Sequence, residues 1–421
     1  MRVNKQSIYI FERQEGISEI TESHESQFRP APAALSDLRV VDFSNGIAGA
    51  FCSKLFADFG ADVTKVEPPS GDPTRSLGPF PGGDSDPEAS GMFIYLNANK
   101  RGATLNLESE NGRSIAADLV AKADVIVESF APGTMERMGL GYDAIQKTNP
   151  TAIMVSITPF GQTGPWRDWQ ATELVEYAAS GLSYVNGSPD REPLKEPSFE
   201  SSYQAGACGF LGAMTALAHR DFTGRGQQVE ISIQEAAAAT FAPQFLGVMH
   251  TGESPGRGST PLLPCKDGYV SLNVRHDATW EYMWLFFDAP DIAQDTRFAT
   301  AAERRRRADE LEELLLPYLA KYTMEDLFHG LAPLRLLIGM TLTVDQLVDD
   351  PHLGERGFFA LSPHSETGNV TMPGAPFRMS ETPWTLRSPA PTIGQHNQDV
   401  FVSELGLNPN ELAQLREEGV I

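Results

Sequence analysis

The chain predicts an α/β fold, a mostly parallel sheet covered by helices. Three observations predict it. Short apolar runs alternate with helical ones from Leu38 to Ile233, the pattern of sheet strands linked by crossover helices. The first of these units is a βαβ of about thirty residues whose glycine-rich turn leads into a helix. The 421 residues are 41% hydrophobic and 21% charged, a globular composition with enough apolar mass for two or three domains.

The run from Leu38 to Ser44 reads as a strand, Asn45 to Gly49 as a tight turn, and Ala50 to Phe59 as a helix. Phe51, Leu55, Phe56 and Phe59 share one face of that helix at helical spacing. Gly60 ends the helix, and Ala61 to Glu67 is the second strand. Helices follow at Gly112–Lys122 and Gly141–Lys147, and strands at Asp124–Glu128 and Ala152–Ile157. Gln204 to Ala218 is a helix rich in small residues, and Gln228 to Ile233 a strand. After a Gly- and Pro-rich stretch near residue 251, a second unit opens with a strand at Tyr269–Val274 and helices around 278–288 and 300–328. Arg304 to Arg307 reads as a solvated face of the last. The closing helix starts at Asn408-Pro409-Asn410-Glu411, an N-cap, a first-turn proline and a capping-box glutamate.

Charge and motifs exclude several functions. A formal net charge of -23 repels phosphate backbones, so nucleic acid is not the expected partner. Cys52, Cys208 and Cys265 form no CxxC pair and are expected as small apolar groups in a reducing cytoplasm. His219, His250, His276 and His352 lack metal-ligand spacing, so no metal is expected. No apolar run is long enough for a membrane span, and the N-terminus shows no signal-peptide core. Gly46-Ile47-Ala48-Gly49 lacks the middle glycine of a dinucleotide fingerprint. It is better read as a turn presenting free amides to a ligand. On the residues alone, the reading stops at a ligand site near the strand ends.

A dozen strings in order carry a more specific reading. They include Phe59-Gly-Ala-Asp-Val-Thr-Lys-Val-Glu67, Gly71-Asp-Pro-Thr-Arg75, Asn99-Lys-Arg101, Val127-Glu-Ser-Phe-Ala-Pro-Gly-Thr-Met-Glu-Arg137, Phe160-Gly-Gln-Thr-Gly-Pro165, Thr223-Gly-Arg-Gly-Gln227 and Pro373-Gly-Ala-Pro-Phe377. From about residue 36 to the end the chain resembles the family III CoA-transferases, the CaiB/BaiF type. The resemblance implies a Rossmann-like large domain, a smaller α/β domain and an interlocked dimer. It also implies transfer of CoA between carboxylic acids through an aspartate that forms an acyl anhydride and then a thioester. Coenzyme A thioester is then a substrate, with no covalently bound cofactor. The implied divisions are an extension at 1–35, a large domain at 36–233, a linker at 234–260, a small domain at 261–360, and a linker with C-terminal return at 361–421.

The departure from the family pattern lies at the nucleophile. The family aspartate falls about thirty residues beyond a Gly-Tyr-Asp-Leu segment, which reads Ala171-Thr172-Glu173-Leu174 here. Counting on reaches Ser202. No catalytic residue is therefore expected in this chain, a lone serine hydroxyl being a poor nucleophile. Glu200 is the one substitute: on an extended chain it would share a face with Ser202, about 6–7 Å away along the strand. Gly256-Arg257-Gly258 is the nearest remnant of a glycine run found in some transferases. The resemblance carries CoA contacts onto Ala48, Leu105, Asn106, Leu107, Phe130, Arg137, Thr172 and Glu173, with Arg137 facing a phosphate or a structural carboxylate.

The function so implied is a subunit without the aspartate in a heteromeric CoA-transferase, as in succinyl-CoA:benzylsuccinate CoA-transferase, partnered by a homologous chain that keeps it. The alternatives are a self-sufficient homodimer using Glu200 or altered chemistry, and a non-enzymatic CoA-binding or scaffold protein. Ser202, Thr172 and Leu336-Leu337-Ile338 hint at a bulky or aromatic acid.

Overall fold

The computed structural model describes residues 33–421 except 84, 189, 255, 257–261, 274–276 and 365–366. Most of the N-terminal extension, His276, and Arg257 and Gly258 of the glycine remnant thus lie outside the described residues.

Six parallel strands form the main sheet in the order β3-β2-β1-β4-β5-β6, the doubly wound order with its switch point between β1 and β4. They are β1 (Arg39–Asp42), β2 (Asp62–Glu67), β3 (Arg101–Thr104), β4 (Val125–Glu128), β5 (Ile153–Thr158) and β6 (Gln228–Ser232). The helices between them are α1 (Ile47–Asp58), α2 (Gly91–Asn97), α3 (Glu110–Val120), α4 (Thr134–Arg137), α5 (Tyr142–Thr148), α6 (Glu173–Ala179), α7 (Leu182–Val185) and α8 (Glu200–Thr223). Strand side chains alternate between two cores. Val41, Val66, Ile126 and Met154 face α3 and the C-terminal Phe401, Leu412, Leu415 and Ile421. Val40, Val63, Val125, Val127 and Val155 face α1 and α8 through Cys52, Phe56, Ala205, Ala213 and Ala216. Both sheet faces are covered, which explains the nearly unbroken apolar strands.

Differences from the sequence expectation have local causes. α1 is buried almost all round, not along one face, because α8 packs beside it on the sheet while Leu96 of α2 and Arg387 cover other sides. The crossing with α8 is close: a Cβ at Gly206 would sit 2.5 Å from the Ala48 carbonyl oxygen. α8 begins at Glu200, four residues ahead of the expected start. Ala33 and Leu35 belong to the packed structure: Ala33 lies against Gly60 and the Leu35 amide donates to the Phe59 carbonyl.

The smaller α/β unit has an antiparallel sheet of β7 (Leu262–Pro264), β8 (Tyr269–Asn273) and β9 (Leu337–Met340). Helices Asp277–Phe286, Ala308–Leu319 and Met324–Leu331 surround buried Trp284. The single helix expected over 300–328 is broken at Arg307 and at Thr323, whose capping box starts a new helix. Arg304 is not solvated. Its guanidinium lies buried over the Trp280 ring and donates to the Phe298 carbonyl and to Asp277. Leu336 sits in this core and Leu337 is exposed, so the Leu336–Ile338 run builds the small unit. A hairpin of β10 (Phe359–His364) and β11 (Gly368–Pro373) follows. The closing helix Pro409–Glu417 has the expected cap: Asn408 accepts from the Asn410 and Glu411 amides, and Glu411 accepts from the Asn408 amide.

Candidate functional site

The site is built at the strand C-termini, around the turn from β1 into α1. A buried charge network fixes that turn. Asp42, at the end of β1, accepts from the Ser44 amide (2.9 Å) and from the Ser53 hydroxyl on α1. Lys100 Nζ lies 3.2 Å from Asp42 and donates to the Ala50 carbonyl at 2.9 Å and Asn97 at 2.9 Å. Lys65 donates to the Ser44 carbonyl and pairs with Asp72 at 2.9 Å. Beside it, Arg75 grips Glu67 with both arms of its fork, at 2.7 and 2.8 Å. Burial alone would raise the Asp42 carboxyl, but Lys65 and Lys100 hold it below its ordinary value. Burial pulls Lys100 down to about 8 against the attraction of Asp42. Each charge is paired and hydrogen-bonded, the condition for keeping ions in a core. Five of the six charged residues, Lys65, Glu67, Asp72, Arg75 and Lys100, fall in the strings that carry the family resemblance. Those strings thus specify the scaffold of the turn, a role the sequence reading did not assign.

The expected CoA contacts gather in two clusters flanking the turn. Leu105, Asn106, Leu107 and Phe130 line a cavity of about 140 Å³ with Phe43, Asn45, Val66 and Met138. Next to it, burial pushes the Glu128 carboxyl up to about 7, against hydrogen bonds from Ser156 and the Phe130 amide. The second cluster holds Ala48, Thr172, Glu173 and Ser202. Ala48 is the second residue of α1, and its carbonyl lies close against Gly206 of α8, one turn beyond Ser202. Asn45 of the first cluster and Ala48 of the second belong to the same short turn. Arg137, at the end of α4, is exposed and bonds Thr134 Oγ1 at 2.7 Å. It makes no ion pair among the described residues.

Ser202 sits in the first turn of α8, where amides lack intrahelical acceptors. Glu173 supplies them. Its Oε1 accepts from the Ser201 amide at 2.8 Å, and its Oε2 from the Ser202 amide at 3.1 Å and the Ser202 hydroxyl at 2.8 Å. Lys195 Nζ stands 3.8 Å from the same carboxylate. Glu173 is the first residue of α6, but its carboxylate serves α8, not its own helix. One turn on, burial and then the charge of Glu173 push the Glu176 carboxyl up to about 7. The serine therefore does have a carboxylate neighbour, contrary to the sequence reading. Its hydroxyl donates directly to that carboxylate, and no imidazole stands between them as a relay.

Glu200 is corrected by the same helix. The extended geometry that would align it with Ser202 is absent, because both residues lie in α8 and successive even positions diverge around a helix. Glu200 accepts instead from Gln204 at 3.0 Å. Cys208 is exposed and Cys265 half-exposed, so only Cys52 is the buried apolar group expected of all three. No cluster of three metal-ligating side chains occurs among the described residues, and none of their helices is long and apolar enough to cross a membrane.

Residues 35–397 match the family model described as CoA-transferase family III. The chain belongs to that family. It is 32% identical over 409 residues to succinyl-CoA–D-citramalate CoA-transferase of Chloroflexus aurantiacus, covering 94% of this chain and all of that one. It is likewise 32% identical over 404 residues to succinyl-CoA:(R)-benzylsuccinate CoA-transferase subunit BbsE of Thauera aromatica, covering 92% and 98%. Among solved structures, a CAIB/BAIF family protein from Brucella suis superposes with a TM-score of 0.80 at 29% identity, over 88% of this chain and 99% of that one. The family III fold and CoA-transferase chemistry are thus the frame for the Ser202 site.

Proposed function

We propose that this chain is the subunit without the aspartate nucleophile in a heteromeric CoA-transferase that moves CoA between carboxylic acids. A homologous family III chain supplies the aspartate, and the two pair as the family's interlocked dimers do. The observation that carries this reading is the serine at the start of α8, its hydroxyl bonded to Glu173. Family chemistry needs a carboxylate there, because the anhydride it forms on an acyl-CoA is reactive enough for the CoA thiolate to attack. A serine ester is a far poorer acyl donor and cannot become an aspartyl thioester. The surrounding fold is intact: the turn is locked by its charge network, and the cavity of Leu105, Asn106, Leu107 and Phe130 is present. Similarity to a chain named as a subunit supports the same reading. In it, the cavity takes the nucleotide end of CoA, Arg137 a phosphate, and Ala48, Thr172 and Glu173 the thioester end.

The test is trapping. Purified protein is incubated with acyl-CoA, treated with hydroxylamine or borohydride, and digested for mass spectrometry. No modified carboxylate is expected. A modified carboxylate at Glu200, at Glu173 or elsewhere in the chain would overturn the proposal in favour of a self-sufficient enzyme.

A further inference from the structure

Two guanidinium groups converge beside the nucleotide cavity without an acceptor between them. Gly133, in the left-handed conformation at φ 82°, precedes α4. A Cβ built there would lie 3.5 Å from Arg137 Nη1 and 3.5 Å from Arg167 Nη2, so these nitrogens are at most twice that distance apart. Neither nitrogen has a partner among the described residues. Arg137 spends its other terminal nitrogen on Thr134. Arg167 makes only a loose 3.5 Å contact from Nη1 to the largely exposed Asp168. Like charges brought together in this way repel, and a bridging anion relieves the repulsion. In a chain with 56 acidic and 33 basic side chains, two arginines left to face each other are the more notable. Their place is also informative. Phe130, three residues before Gly133, and Met138, next to Arg137, both line the cavity.

We infer that Arg167 joins Arg137 to clamp the 3′-phosphate of coenzyme A. This rests on the reading that the adjoining cavity holds the nucleotide end of CoA. A terminal phosphate monoester presents three free oxygens and close to two charges, so it can take a guanidinium fork from each side. The phosphates of the diphosphate bridge carry one charge each and fewer free oxygens. Arg167 lies in the loop after β5, far in sequence from Arg137, so the pair exists only once β4 and β5 are side by side.

The experiment is calorimetric titration of the full chain with CoA and with dephospho-CoA, which lacks only the 3′-phosphate. Wild type is expected to prefer CoA. Arg167→Ala should weaken CoA binding about tenfold, the size of one lost charge-assisted pair, and leave dephospho-CoA within about twofold. Arg167→Lys should fall between, since it keeps the charge and loses the fork. Unchanged unfolding midpoints verify the fold of each variant. Unaltered CoA affinity in Arg167→Ala, while Arg137→Ala is weakened, overturns the clamp and leaves the CoA reading standing. Equal losses for both ligands also overturn it. A wild-type chain that binds neither ligand overturns the CoA reading itself.

Discussion

Replacing Glu173 by alanine removes the acceptor for three donors at the start of α8. Two are backbone amides and one is the Ser202 hydroxyl. Stranding such donors at a half-buried helix end costs about 1–3 kcal/mol. Glu173→Ala should therefore lower the urea midpoint by an amount in that range, with the slope of the transition unchanged. Ser202→Ala is the contrast. It deletes one hydroxyl donor and leaves both amides capped, so its cost should stay below about 1 kcal/mol. Equal losses in the two variants would mean that Glu173 acts only through Ser202. Both residues were singled out from the sequence, but their contact was not legible there. They stand 29 positions apart, and Glu173 is placed at the start of its own helix, where a local dipole role explains it equally well. Only the packing of α6 against α8 turns it outward to the other helix.

Helix α8 is the element on which the site depends, and its seat on α1 is unusually close. Gly206 admits no side chain, because a Cβ there would approach the Ala48 carbonyl oxygen to 2.5 Å and Phe51 to 3.1 Å. Gly206→Ala tests this contact. In an exposed helix the change would stabilise by up to about 1 kcal/mol. Here the clash is with backbone, which cannot rotate away, and overpacking of this kind costs about 1–3 kcal/mol. A lowered unfolding midpoint is expected, together with weaker CoA binding as Ala48 and the turn are displaced; a raised midpoint would show that the helices separate freely. The strands, the capping box at Asn408 and the close packing of a small-residue helix were legible from local pattern. What sequence did not show was the onset of α8 four residues early, since Glu200 to Tyr203 lacks both a capping side chain and apolar periodicity. That onset converts Glu200 from a plausible substitute into a helix residue bonded to Gln204. The break at Arg307 and the burial of Arg304 were hidden for a related reason: Trp280 and Phe298, which receive its guanidinium, are brought there by tertiary packing.

At the scale of the whole molecule, the family match runs over residues 35–397, and the proposed subunit role places a serine at the nucleophile position. The charge network around Asp42, Lys65 and Lys100 is complete, both sheet faces are covered, and the cavity at Leu105–Leu107 is formed. A chain drifting without function would be expected to lose buried ion pairs early, because leaving one partner of such a pair unmatched is strongly destabilising. Under the proposed function, this retained scaffold would serve a division of labour between two chains. Co-expression with each family homologue of the same host, followed by size-exclusion chromatography and mass spectrometry, should then recover a mixed assembly with the chain that carries aspartate at the position matching Ser202. In that assembly, Ser202→Asp should leave both assembly and the main activity largely as they are. Removing the partner's aspartate should abolish CoA transfer, because that carboxylate alone forms the anhydride. If this chain yields only homodimers beside every homologue, or if the mixed assembly keeps its activity after the partner's aspartate is removed, the division of labour is refuted.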